Sequence, residues 1–244
     1  MDVFPLISFR VMGFTVYGFG LALAFGFALM WLCLSLSAPR SGLKKSTAVS
    51  YMLSAVPLAV FFGRVVFCLF RRAAVFYDMV DGHFLGIAPL FKGWEGGFSL
   101  PGLLIGLLLA VPIAAKCSKE EASRLSGWMA APGALLMAFA HLGTILAGEG
   151  YGDILESPAF YAVGNAYGEW YVAVFAFEAA VYGALFVFLL LARSAHPAGK
   201  QHALIVCYSA LQLFLESLHR DNYMRLEANG FIRVHQLLCL ALLL

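Results

Sequence analysis

Charged residues are scarce in this sequence. Only 12% of its 244 residues are Asp, Glu, Lys or Arg, whereas 62% are hydrophobic, and the mean hydropathy is +0.85. A soluble domain usually carries about 25% charged residues, so the composition excludes an ordinary soluble fold and predicts an integral membrane protein. The formal net charge of +2 gives no sign of a nucleic-acid partner, and we expect none.

Several motifs are also missing. The five cysteines lie at no metal-ligand spacing. All but Cys117 fall inside apolar runs, where cysteine behaves as a small hydrophobe, so we expect no disulfide framework. The sequence contains no Gly-x-Ser-x-Gly, His-Glu-x-x-His or P-loop motif, no internal repeat and no long polar linker. The first residues lack the basic start of a cleaved signal peptide. We therefore expect one membrane domain over residues 1–244, without a metal or cofactor, whose chemistry uses dispersed side chains.

Long apolar runs are what the sequence has in abundance. A helix needs about 20 apolar residues to cross a bilayer. Seven segments are candidates, the last too short to cross fully: 17–36, 47–70, 98–115, 127–147, 170–192, 203–218 and 234–244. We predict an all-α, polytopic transmembrane helix bundle of about seven spans, with a glycine-rich interfacial loop before the third. The distribution of Lys and Arg places the N-terminus outside by a narrow margin.

A histidine inside the fourth run is the most informative polar residue. Polar side chains are costly in a span and usually have a function. Glu149 follows His141 by eight residues, which is about 12 Å along a helix, so both side chains could line one cavity. The alternative is a core histidine that bonds to a neighbouring helix. As a functional group, His141 would be a general acid or base, because imidazole titrates near neutrality.

Other ionisable residues mark further spans. Arg64 near the end of the second span can snorkel to the interface or hold a phosphate. Glu178 lies in the fifth span, where a buried carboxylate is usually paired. One broad face of the sixth span carries four polar residues: Gln212, Glu216, His219 and Arg220. Together with Arg64 they predict either a functional charged cluster or a purely structural ion network.

The loop before the third span combines charges, glycines and an aromatic residue. Lys92 and Glu95 flank Trp94, and two adjacent glycines permit unusual backbone angles. One interpretation is an interfacial turn anchored by the tryptophan. The other is a re-entrant loop that lines a lipid headgroup site. Tyr17 is predicted to be an aromatic-belt residue or a headgroup donor, and His235 an interfacial residue.

These segments, in this order, resemble the bacterial phosphatidylglycerol–prolipoprotein diacylglyceryl transferases from Tyr17 to Gln236. The resemblance rests on short motifs in six places: Tyr17-Gly18, Gly63-Arg64, Trp94-Glu95-Gly96-Gly97-Phe98-Ser99 with the glycines that follow, His141-Leu142-Gly143-Thr144 through Gly148-Glu149, Phe177-Glu178, and Gln212 with Glu216. Four residues depart from the family pattern: Pro101 stands at a histidine position, His141 and Gln212 at arginine positions, and Thr144 at an asparagine position.

The resemblance implies a reaction and a set of site residues. A diacylglyceryl group would move from phosphatidylglycerol to the lipobox cysteine of a prolipoprotein signal peptide, in the bacterial cytoplasmic (inner) membrane, catalysed by a monomer. For this reaction we assign three catalytic residues from their placement in or next to the spans: His141 as the base, Glu149 as its aid, and Arg220 as a cation for the phosphate. The implied substrate-binding residues are Tyr17, Arg64, Lys92, Glu95, Ser99, Gln212, Glu216 and Glu178.

Three alternatives remain open at this stage. A different lipid-modifying reaction could use the same scaffold, with His141 replacing the lost histidine and arginine. A degenerate, non-catalytic relative could bind lipid or lipoprotein, as the substitutions at Pro101 and Gln212 suggest. A transporter is disfavoured, because the sequence has no pair of Gly/Pro-broken helices in matching halves.

Overall fold

The computed structural model describes residues 4, 6–11, 14–71, 75–77, 82–91, 97–192, 196, 198–220 and 233–243, and this part of the chain is mostly helical. Its longer helices are α1 (Gly18–Ser37), α2 (Lys45–Phe70), α3 (Leu100–Ser118), α4 (Ala122–Thr144), α5 (Val174–Leu191), α6 (Gly199–Leu215) and α7 (Val234–Leu243). A single helical turn covers Ala88–Phe91, and 3-10 turns cover Pro39–Ser41, Ile145–Ala147 and Glu216–Leu218.

Helices α1 to α5 are long and apolar enough to cross a membrane, so five spans follow from the described residues by length and composition. Helix α6 has 17 residues and α7 has 10, which is short of the roughly 20 that a span needs. The multi-pass membrane class is therefore confirmed, whereas the number of seven spans stays a prediction.

The mostly helical structure agrees with the predicted all-α class, and two small sheets accompany the helices. The strands β1 (Ser8–Val11) and β2 (Phe14–Tyr17) form an antiparallel hairpin before α1. Three short strands between α4 and α5 form an antiparallel sheet in the order β3-β5-β4: β3 (Ile154–Leu155), β4 (Ala162–Gly164) and β5 (Trp170–Val172). The fifth span was predicted to begin at residue 170, but Trp170, Tyr171 and Val172 are residue types that favour strands, and α5 begins only after them.

Glycines allow the helices that carry the site to pack closely. A Cβ atom on Gly102 would lie 2.5 Å from the carbonyl oxygen of Phe62, so α3 contacts the backbone of α2 directly. At a second crossing, a Cβ atom on Gly143 of α4 would lie 2.8 Å from the Cβ atom of Ala22 in α1. Small residues at such crossings are typical of helix pairs in membranes.

Helix α4 lies at the centre of the bundle. It packs against α1, α3, α5 and α6, and its residues from Leu125 to Met137 are almost all buried. Large apolar side chains of the peripheral helices, such as Phe25 and Leu53, point outward and are more than half exposed. In a membrane protein this outer surface faces the acyl chains, so the buried polar residues of the helices are kept from lipid.

Candidate functional site

A cavity of about 570 Å³ lies at one end of the bundle. It is bounded by the β1–β2 hairpin, by the first turns of α1, α3, α5 and α7, and by the last turns of α2, α4 and α6. Successive helices alternate in direction, so these seven ends lie on the same side as the start of the chain. Part of the lining is apolar and includes Leu6, Val16, Phe19 and Phe67 (the apolar wall), and another part carries ionisable side chains (the ionisable wall).

The ionisable wall begins with a carboxylate between two histidines. Glu178 Oε2 lies 2.9 Å from His141 Nδ1, and Glu178 Oε1 lies 3.0 Å from His219 Nε2. His141 and Glu178 are fully buried. The first contact has ion-pair distance but not the alignment of a hydrogen bond, which is common before a substrate is present. His141 Nε2 has no hydrogen-bond partner among the described residues.

Gln212 connects this carboxylate to a second one. Its Nε2 donates to Glu178 Oε1 at 3.1 Å and to Glu216 Oε2 at 2.9 Å. Its Oε1 accepts from the hydroxyl of Tyr182 at 2.6 Å. The ring of Tyr182 in turn stacks on the His141 imidazole, with centroids 4.7 Å apart. The amide therefore fixes both carboxylates and, through the tyrosine, the plane of His141.

The second carboxylate has its own histidine and an arginine. Glu216 Oε2 lies 3.2 Å from His235 Nδ1, and Glu216 Oε1 lies 3.4 Å from Arg233 Nη1. Arg233 Nη2 also donates to the backbone carbonyl of His219 at 2.6 Å. All of these side chains are at least nine-tenths buried. Burying two carboxylates is costly unless each is paired, and here each has cationic or hydrogen-bond partners.

The ligating atoms of Glu178, Glu216 and His219 lie within 4.8 Å of one another, a set that would suit a divalent metal ion. However, both carboxylates already accept a hydrogen bond from Gln212 and face a histidine. We therefore describe the cluster as a hydrogen-bonded network and assign no metal to it.

Six residues predicted from the sequence line this one cavity: Tyr17, His141, Glu149, Glu178, Gln212 and Glu216. His141 and Glu149 both line the cavity, but α4 ends at Thr144, so they do not lie on one continuous helix as the spacing argument assumed. The carboxylate 2.9 Å from the histidine is that of Glu178, which comes from α5. The role of Glu149 as a partner of His141 stays a prediction.

Two predicted substrate-binding residues have structural contacts next to the cavity. Arg64 donates to the carbonyl of Gly97 at 3.1 Å and to that of Pro89 at 2.8 Å, so it links two points that flank the glycine-rich loop. Ser99 caps the start of α3, where its hydroxyl accepts from the amide of Gly102 at 3.4 Å. Lys92 and Glu95 lie outside the described residues.

Arg220 lies apart from the cavity. Its guanidinium donates to Asp153 at 2.8 Å, and both side chains are more than half exposed. Among the described residues, the arginines that line the cavity are Arg71 and Arg233. The catalytic role of Arg220 stays a prediction. From the sequence, Arg71 was assigned no site role and His235 was described as interfacial, yet His235 is buried against Glu216. The sequence could have indicated both Arg71 and His235 as site residues, because each is a charged or titratable residue at the end of an apolar run next to the cavity.

The fold and the site together define a class: a multi-pass membrane protein whose helices enclose a buried histidine–carboxylate network beside an apolar wall. The sequence profile of the prolipoprotein diacylglyceryl transferases matches residues 6–244. The chain belongs to this family and is a membrane transferase.

Individual relatives agree with this assignment, and each is named phosphatidylglycerol–prolipoprotein diacylglyceryl transferase. The chain is 28% identical to the protein of Bacillus licheniformis over 252 residues, covering 98% of the chain and 88% of the relative. It is 30% identical to that of Enterococcus faecalis over 261 residues, covering 97% and 86%. It is 26% identical to that of Oceanobacillus iheyensis over 230 residues, covering 88% and 77%.

Proposed function

We propose that the chain transfers the diacylglyceryl group of phosphatidylglycerol to the lipobox cysteine of a prolipoprotein signal peptide. In this reaction the cysteine thiol loses its proton, and its sulfur forms a bond to the glyceryl carbon that carries the phosphate. The carbon–oxygen bond to the phosphate breaks, and glycerol phosphate leaves with the electron pair. The site must therefore supply a base, cations for the phosphate and an apolar surface for the lipid.

The pairing of His141 with Glu178 is the observation that carries this proposal. Thiolate is the reactive form of cysteine, so a base that takes the thiol proton accelerates the attack. His141 lines the cavity and its Nε2 has no hydrogen-bond partner among the described residues. With Glu178 Oε2 2.9 Å from Nδ1, the carboxylate orients the ring and stabilises the imidazolium that forms. The same division of roles operates between the histidine and carboxylate of hydrolase triads.

Cations at the cavity suit the departing phosphate. Arg71 and Arg233 line the cavity from the ends of two different helical segments. Guanidinium groups bind phosphate oxygens with paired donors, which makes them the usual choice for this task. Lys92 and Arg64, which the sequence also predicted for the phosphate, would add charge from the glycine-rich loop and from α2.

The apolar wall suits the lipid. Phe19, Phe67 and Phe98 line the cavity, and an acylated glycerol presents hydrocarbon to such a surface. Phosphatidylglycerol would enter from the bilayer, with the transferase acting as a monomer in the cytoplasmic membrane and its cavity at the outer face. The signal peptide would present its cysteine from the same face.

Complementation tests the proposal in a cell. A bacterium depleted of its own diacylglyceryl transferase is supplied with this chain, and lipid attachment to a reporter lipoprotein is measured. We expect rescue by the unaltered chain and loss of rescue by His141→Ala at equal membrane abundance. A His202→Ala variant, which changes an exposed histidine on α6, should rescue fully. Rescue that survives both His141→Ala and Glu178→Gln contradicts the assigned roles.

A non-catalytic relative is the second candidate, favoured by the residues at the arginine positions of the family pattern. His141 and Gln212 are both buried in the network, so the network carries less positive charge than two arginines would give. A protein of this kind would bind phosphatidylglycerol or lipoprotein without rescuing the depleted strain. Retained lipid binding together with failed complementation therefore distinguishes it from the transferase.

A further inference from the structure

The network contains a second histidine–carboxylate pair, which is not required for taking the proton from the thiol. His235 Nδ1 lies 3.2 Å from Glu216 Oε2, and this carboxylate is distinct from the one next to His141. His235 is 5% exposed and lines the cavity. Arg233, two residues earlier, lines the same cavity and lies 3.4 Å from Glu216 Oε1. A titratable group and a cation therefore lie together at the start of α7.

Charge balance within the network favours a protonated histidine. Glu178 and Glu216 bring two negative charges, and Arg233 brings one positive charge in contact with Glu216. An uncompensated buried charge is costly, so a proton on one of the adjacent histidines stabilises the network. His219 contacts Glu178, which it shares with His141, and it lies within 4.8 Å of Glu216. The histidine in direct contact with Glu216, at 3.2 Å, is His235.

The chemistry of the leaving group has a use for that proton. A phosphodiester carries one negative charge, and breaking the carbon–oxygen bond adds a second charge to the phosphate that leaves. The second pKa of a phosphate monoester is about 6, so a nearby imidazolium can donate a proton as this charge develops. Imidazole is the commonest side chain for such transfers.

We propose that His235 is the general acid of the transfer reaction, with Glu216 holding its proton and Arg233 holding the phosphate. This inference rests on the proposed function. As sulfur bonds to the glyceryl carbon and the carbon–oxygen bond breaks, His235 gives its proton to the departing phosphate oxygen while His141 holds the proton taken from the thiol. The cycle closes when the proton on His141 returns to His235, so no other reactant is required.

Two lipid donors with different leaving groups test the proposal. One is phosphatidylglycerol, and the other is a synthetic diacylglyceryl toluenesulfonate, whose sulfonate leaves without protonation. Full-length protein in detergent is incubated with a lipobox peptide and each donor, and the lipidated peptide is measured by mass spectrometry. The variants are His235→Gln, His141→Ala and His219→Gln, with His202→Gln as the matched control on an exposed histidine.

We expect His235→Gln to lower transfer from phosphatidylglycerol by about 100-fold or more and to leave transfer from the sulfonate nearly unchanged. His141→Ala should lower both, because both reactions need the thiolate. Retained sulfonate transfer also shows that the His235→Gln protein is folded.

Three outcomes overturn the inference. In the first, His235→Gln retains normal transfer from phosphatidylglycerol. In the second, His235→Gln loses transfer from both donors equally. In the third, the selective loss of transfer from phosphatidylglycerol appears in His219→Gln instead. If the unaltered protein transfers from neither donor, the proposed function fails and this inference fails with it.

Discussion

The contact between His141 and Glu178 makes a prediction that can be worked through in detail. Changing Glu178 to Gln keeps the size of the side chain but removes its charge. At about 4 Å and an effective dielectric constant of about 20, two unit charges attract by roughly 4 kcal/mol. That attraction is available only once His141 has taken the thiol proton, so its loss raises the barrier of the chemical step.

The expected loss of rate follows from this magnitude. Part of the attraction offsets the cost of burying the charges, and a general base is generally worth about 10²- to 10⁴-fold in rate. We therefore expect Glu178→Gln to lower kcat by about 10²- to 10³-fold and His141→Ala by at least as much. Because the two residues act as a unit, the double variant should be little worse than His141→Ala alone.

The assay measures transfer from phosphatidylglycerol to a lipobox peptide at saturating substrate, with Glu156→Gln as the control on an exposed carboxylate. Each variant is also checked for its thermal midpoint, since Glu178 contacts Gln212 and His219 as well. If the losses of the two single variants multiply in the double variant, the residues act independently and the proposed base is wrong. Full activity of Glu178→Gln leads to the same conclusion.

Three further predictions follow from contacts elsewhere in the structure. Arg233→Ala should lower both the thermal midpoint and the transfer rate, because breaking a buried ion pair costs about 3–5 kcal/mol. The control Arg220→Ala breaks an exposed pair and should change stability by less than about 1 kcal/mol. If thermal unfolding shows the same loss of stability for both variants, the Arg233 ion pair does not contribute as a buried pair. Gly106→Ala should lower the thermal midpoint, because its Cβ would lie 2.5 Å from the Cα of Ala59. The matched Gly183→Ala, which has open space, should gain up to about 1 kcal/mol of helix propensity. Treatment with a strong chelator should leave transfer unchanged, and activity that is lost on chelation and restored by zinc contradicts the metal-free network.

The helical part of the fold was predictable because a bilayer leaves few choices to the backbone. Apolar runs that approach the thickness of the hydrocarbon layer must be helices, since each peptide group has to be paired within the segment. The predicted start of the first span and the end of the second differ from α1 and α2 by at most a residue. The strands β1 to β5 were missed, because segments of two to four residues carry too little periodic signal.

The sequence predicted several residues of the candidate site but not which of them contact one another. His141, Glu178 and Glu216 were recognised because a titratable residue within an apolar run is unusual. Their partners depend on how helices rotate against one another, which the spacing within one helix does not encode. The sequence therefore paired His141 with Glu149 of the same segment, whereas the bundle places Glu178 of α5 at 2.9 Å. Arg233 was counted only among the basic residues that indicate orientation, because it follows a polar loop.

Direct transfer by the purified protein tests the central claim most plainly. The chain is incubated with phosphatidylglycerol and a lipobox peptide, beside an identical peptide whose cysteine is replaced by serine, and the products are resolved by mass spectrometry. The account predicts that only the cysteine peptide gains the mass of a diacylglyceryl group and that glycerol phosphate is released in equal amount. If neither product forms under conditions in which a known family member is active, this chain is not a transferase of that reaction.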